Sequence, residues 1–202
     1  MSRADAATRR RQARRAQILA AARGCFERDG FHGASMAAIA AAAGMSIGHV
    51  YHYFDGKDAI VADIIRIDLE ARLRILAALR RPAELASAML SPARTASAGD
   101  TTLPLGPRLR AEIFVEAVRN PLAARLLADA DAACLRRLRT LLNPPCLPDA
   151  AERGGPAAAE LALALWDGLR VRGLVVGAQV DDCVLRLANV LSALAGHAGR
   201  PD

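Results

Sequence analysis

Apolar residues recur along most of this chain at three- and four-residue intervals, the period of helices buried along one side. Ile18, Ala22, Cys25 and Phe26 form the first stripe, predicting a helix that starts near residues 10 to 14 and runs to Asp29. Gly30 ends it, and Phe31 folds back onto its last turn. Met36, Ile39, Ala40 and Ala43 form a second, shorter stripe, opened by Ser35 as N-cap and closed by Gly44. Ser46 caps a third segment, in which Met45 and Val50 occupy the two positions of a hydrophobic staple. Small Ala40 lets these two short helices approach, Gly44 supplies the bend and Val50 fills the gap. That is the packing of a helix-turn-helix, with its second helix left to face outward. Phe26, Phe31, Ile39, Val50 and Phe54 then make the core of a small head.

Beyond Asp55, which with Asp58 suits a helix start, the pattern changes. Ile60, Ile64, Ile67, Ala71 and Ile75 lie on one stripe and Val61, Ile65, Leu69 and Leu76 on another, so a long helix with two buried sides runs to Pro82. A short helix from Ala83 to Leu90 follows. Residues 91 to 107 are rich in Pro, Gly, Ser and Thr and read as a loop. Helices are predicted over Arg108 to Asn120 and Leu122 to Leu142, each stopped by an Asn-Pro pair, with a second Pro/Gly-rich connection over 143 to 155. Pro156 opens a helix that reaches Gly177, and Asp181 with Asp182 opens the last, ending near Gly196. Gly168 and Gly173 inside the former cost about 1 kcal/mol each relative to alanine, and are either tolerated there or required by a close helix approach. Two consecutive apolar helices at the C-terminus bury only part of their surface within one copy, which predicts a four-helix interface with a second copy. The fold class is all-α, with about nine helices.

Composition narrows the choice further. Aromatic residues total 3% while Ala, Leu and Arg dominate, leaving little material for a sheet. The 202 residues suffice for one large domain or a small head on a larger body. The formal net charge is +6, and residues 1 to 24 carry all of it: Arg3, Arg9, Arg10, Arg11, Arg14, Arg15 and Arg23 stand against Asp5 alone. Such a basic arm suits phosphate contact or minor-groove insertion, with a solubilising tail as the bland alternative. Cys25, Cys134, Cys146 and Cys183 are scattered singly, without the spacing of a zinc site or a redox dithiol, and fit a reducing cytoplasm. The apolar run from Ile18 to Ala22 is too short for a secretory signal, and residues 33 to 54, although uncharged, are broken by capping signals. A soluble cytoplasmic protein is expected.

Residues 14 to 65 resemble the DNA-binding domain of TetR-family transcriptional regulators. The match rests on Ile18 to Ala22, Phe26, Gly30-Phe31, Ser35 to Ala40, Ala43 to Gly48, Tyr51 to Phe54 and Lys57. Val50 stands where the family usually has Leu, and Asp55-Gly56 replaces a more typical polar pair. Farther on, Ala111-Glu112-Ile113, Ala117 to Pro121 and Asp167-Gly168-Leu169 look like the betaine-regulator type of C-terminal domain. The resemblance implies a basic arm over 1–13, a three-helix helix-turn-helix head over 14–61 and a ligand-binding and dimerisation body over 62–202. It also implies that Ile47, Gly48, Tyr51 and His52 approach base edges, while Ser35, Ser46, His49, Tyr53 and Lys57 meet phosphates and Arg9, Arg10, Arg11 and Arg14 meet phosphate or the minor groove.

Side-chain chemistry agrees with that division. Gly48 permits close approach, Ile47 can touch a thymine methyl, and tyrosine hydroxyls donate well to phosphate oxygens. For His52 a solvated position beside the groove is the alternative. His49 and His52 lie one turn apart, yet no third ligand is near, so no metal is expected, and no cofactor. Phe114 and Trp166 are the aromatics outside the head and mark either a pocket or plain core. Arg110, Glu112 and Glu116 would supply polar contacts if their helix lines that pocket. So few aromatics cannot build a cage for a quaternary ammonium, and a mainly aliphatic cavity is expected. A hydrolase or transferase lacks any catalytic constellation here. The expected function is a dimeric repressor on a pseudo-palindromic operator, released by an unidentified small-molecule effector. A constitutive DNA-binding dimer or an activator is the alternative.

Overall fold

The computed structural model describes residues 3–90, 104–142, 155–176 and 189, and among these every regular element is an α-helix. They are α1 (Arg3–Gly33), α2 (Met36–Ala42), α3 (Ile47–Tyr51), α4 (Lys57–Ala78), α5 (Pro82–Leu90), α6 (Pro107–Arg119), α7 (Pro121–Leu142) and α8 (Gly155–Val176). No helix of the described residues is long and apolar enough to cross a membrane. Most of the loop expected over 91–107, the connection over 143–154, Cys146, Cys183, the surroundings of Gly173 and the last predicted helix, Asn189 apart, lie outside the described residues.

Three boundaries differ from the sequence expectation. Helix α1 starts at Arg3, because residues 3 to 17 are mostly Arg, Ala and Gln, all good helix formers without a breaker. The arginines expected on an arm therefore stand on a helix. At its other end α1 passes through a kink at Gly30 (φ 72°, ψ 169°) and makes one more turn to Gly33. Helix α4 ends at Ala78, and Pro82 opens α5 instead of closing α4, since proline fits the first helical position. Glu84 accepts the N–H of Arg80 at 2.8 Å, a bond that with the Arg81 side chain holds its carboxyl below the ordinary value.

The chain divides into two compact units, Met1–Asp68 with Thr95–Leu127, and Leu69–Arg94 with Ala128–Asp202. In the first, Phe26, Phe31, Ile39, Val50 and Phe54 are all buried, as expected, and Ile60, Ile64, Leu105, Leu109 and Ile113 extend their core. A charged pair lies among these apolar residues. Asp68 accepts the Leu105 N–H through Oδ1 at 2.8 Å and Arg110 Nη1 through Oδ2 at 2.9 Å. The two side chains are only 3% and 4% exposed. The pair ties α4 to α6 and is invisible to a stripe that counts apolar positions only.

The second unit packs Leu76, Leu85, Met89, Leu138 and Leu163 around Trp166, which is 1% exposed. Arg72 is also buried, with its guanidinium 5.2 Å from the Trp166 ring centre and its nitrogens 3.6 Å from Asp131 and 3.8 Å from Asp167. Gly168 faces open space, so it is tolerated in α8 and does not serve a close approach within the unit.

The turn between α2 and α3 is a Schellman motif. Met45 N–H bonds to Ala40 O at 2.9 Å and Gly44 N–H to Ala41 O at 3.0 Å, with Gly44 in the left-handed region at φ 64°. A Cβ at Gly44 would meet nothing within 4 Å, so only the backbone opposes a side chain there. Gly44→Ala should therefore cost about 1–2 kcal/mol of stability and Gly44→Asn less, measured by urea unfolding. Asp68→Ala, which leaves the Arg110 charge buried without its acid, should cost about 3–5 kcal/mol in the same assay. Replacing both partners together, Asp68→Leu with Arg110→Met, should recover more than half of that loss.

Candidate nucleic-acid interface

Serine caps hold both short helices. Ser35 Oγ accepts the Ala38 N–H at 3.1 Å and Ser46 Oγ accepts the His49 N–H at 3.2 Å. Each hydroxyl uses a lone pair in this way and keeps its O–H as a donor, and both serines are exposed. Capping and phosphate contact are thus compatible at the same side chain.

Val50 points inward at 0% exposure, which turns the remaining residues of α3 out. Ile47 and Tyr51 are 46% and 47% exposed, and Gly48, His49 and His52 are exposed beside them. Tyr53 is half-buried between two imidazoles, with ring centres 5.4 Å from His49 and 5.3 Å from His52. These aromatic contacts fix the end of α3. This outward face has no Lys or Arg.

On α1, Ala7, Arg10, Arg11 and Arg14 lie at helical spacing and, with His52 and Tyr53, line an open depression of about 410 Å³. Arg9 is also exposed on α1. Sequence reasoning puts these arginines on an arm and misses that one helix face stands beside the end of α3. The three- and four-residue spacing of residues 7 to 14 is compatible with one helix face, but the place of that face beside the end of α3 comes from packing.

Other basic residues are turned inward. Arg15 pairs with Asp63, donates to Tyr53 O at 2.9 Å and stacks over the Phe54 ring at 4.2 Å. Arg23 is 2% exposed. Lys57 donates to Phe31 O and Ala34 O at 2.9 Å each and lies 4.7 Å from the Phe31 ring centre. Two of its three N–H donors are therefore spent inside the head, and one is left for an outside acceptor.

The five residues expected around an effector are divided between the two compact units. Trp166 is core of the second unit, while Arg110 in the first is bound to Asp68 and stacked over half-buried Phe114 at 4.9 Å. Glu112 and Glu116 line a cavity with Phe26, Phe31, Val61, Ile64, Leu109 and Ile113, but its volume is about 10 Å³. That space is about one water, far below a small-molecule site.

The comparisons with known proteins agree with this geometry. The model for bacterial regulatory proteins of the tetR family matches residues 18–64. The transcriptional regulator UidR of Escherichia coli K12 is 37% identical over 124 residues, spanning 57% of this chain and 58% of UidR. The chain thus aligns with little more than half the length of that relative. The transcriptional regulator BetI of Paraburkholderia phytofirmans is 32% identical over 185 residues, covering 89% of this chain and 91% of BetI. The solved structure of Salmonella enterica GusR superposes with a TM-score of 0.73 at 28% identity, covering 91% of this chain and 95% of GusR. With its matched head, a relative similar over nearly its full length and the same all-helical fold, the chain belongs to the TetR family of bacterial regulatory proteins.

Proposed function

We propose that this chain is a DNA-binding transcriptional regulator acting as a homodimer: a repressor that reads a pseudo-palindromic operator and is released by a small-molecule effector. One observation carries the DNA-binding part, namely the uncharged outward face of α3 set beside the arginine face of α1. In this reading Arg9, Arg10, Arg11 and Arg14, with Ser35, Ser46, His49, Tyr53 and the remaining donor of Lys57, hold phosphates. Ile47, Gly48, Tyr51 and His52 approach base edges. Phosphate contacts supply affinity and register, and the base-edge contacts supply specificity.

The division into a head over 14–61 and a body over 62–202 is part of the proposal, as is dimerisation through the C-terminal helices. Support for the latter comes from α8, where Ala157, Leu161, Ala164 and Gly168 are exposed at helical spacing and Leu161 is 51% exposed. Small residues along one face allow a second helix to lie close. Two heads then enter successive major grooves, roughly 34–36 Å apart. An effector shifts this spacing only if it binds the two states unequally.

Binding to a duplex selected from a random library, followed by gel shift at fixed salt, tests the proposal. Tyr51→Phe should weaken binding about fivefold while the dimer persists on a sizing column, the loss of one hydrogen bond. Replacing Arg10, Arg11 and Arg14 with Gln should lower affinity for every sequence and reduce the slope of log K against log salt by about 0.9 for each phosphate no longer neutralised. An unchanged affinity and slope in both variants would remove this face from the interface.

A further inference from the structure

The turn that leads into α2 is held at both ends by groups from other helices. Gly30 breaks α1 with φ +72°, and the chain makes one more turn, closed by the Ala34 N–H on Gly30 O at 3.1 Å. A break of this kind exposes an N–H at the start of the turn and carbonyls at its end. Glu112 of α6 meets the first, its Oε2 accepting the Phe31 N–H at 3.4 Å. Lys57, at the start of α4, meets the second by donating to Phe31 O and Ala34 O at 2.9 Å. Acid at the N-terminal end and base at the C-terminal end is the polarity that the turn's own dipole favours. The space at Gly30 is shaped to match, since a Cβ there would lie 3.3 Å from Glu112 Oε2. One turn along α6, Glu116 approaches His32 Nε2 at 3.5 Å, so a second acid faces the same segment.

We propose that Glu112 is a positioning residue for DNA reading. It ties α6 to the entry of the helix-turn-helix through the Phe31 amide, and Ser35, the N-cap of α2, follows Ala34 directly. Helix α6 is thus fastened to α4 through Arg110 and Asp68, and to α2 through Glu112 and the turn. The inference rests on the reading of α3 as the DNA-contacting helix.

The test uses the full chain and two duplexes, one selected by the wild type from a random library and one scrambled, at a single salt concentration. Glu112→Ala should lower the ratio of selected to scrambled affinity about fivefold, leaving the scrambled affinity within about twofold. Glu112→Gln, whose amide oxygen still accepts from Phe31, should keep the ratio within about twofold. A purely structural role would lower both affinities together. A ratio unchanged in Glu112→Ala, or lowered equally in both variants, overturns the role of Glu112. Hydrogen exchange at the Phe31 amide gives a measurement that does not depend on the Ala variant folding: protection is expected in the wild type and in Glu112→Gln, and free exchange in the wild type overturns the proposal. A wild type that enriches no duplex sinks the DNA-binding reading itself, and this proposal with it.

Discussion

A buried carboxylate must find partners, and Asp68 finds both of its own on one stretch of chain, the Leu105 amide and the Arg110 guanidinium. That requirement fixes where α6 begins and how it lies against α4. Helix α6 also packs on α1 and belongs to the same compact unit as the helix-turn-helix. A shifted register of α6 along α4 would separate the buried Asp68 carboxylate from the Arg110 guanidinium. The contribution of the ion pair is less to net stability than to a single register, and Leu109 and Ile113 are buried on the same helix in consequence.

The arginines near the N-terminus divide their work. Arg15 and Arg23 are built into the head, where Arg15 joins α1 to the end of α3 and to α4. Arg10, Arg11 and Arg14 line the depression beside His52 and Tyr53. The cationic face thus lies on α1 and the uncharged outward face on α3. Lys57 commits two donors to carbonyls of the turn before α2.

The second unit shows the same rule at work on a different set of residues. Trp166 is covered by its own core and by Arg72, whose charge is flanked by Asp131 and Asp167. Within the first unit, Glu112 and Glu116 line a cavity of about 10 Å³. Aromatic type and helical spacing identify groups able to line a pocket. They do not say which of these groups another charge or another core has already engaged.

The helix-turn-helix is legible in the sequence because its determinants are local: Ser35 and Ser46 cap within three residues, Gly44 takes a conformation that side chains resist, and Val50 follows from spacing alone. The head core of Phe26, Phe31, Ile39, Val50 and Phe54 is legible for the same reason of period, and so are the two helices that flank Asn120-Pro121. The extent of α1 is not, since helix propensity in an arginine-rich stretch reads equally as an arm. What only the tertiary structure decided was the pairing of charges far apart in sequence: Asp68 with Arg110, Arg15 with Asp63, Glu112 with the Phe31 amide, Lys57 with the carbonyls before α2. Periodicity places each of these residues on a helix face, but the partner is set by which helices meet and in what register. That is a property of the packed chain, because a buried charge takes whichever opposite group the packing brings within reach.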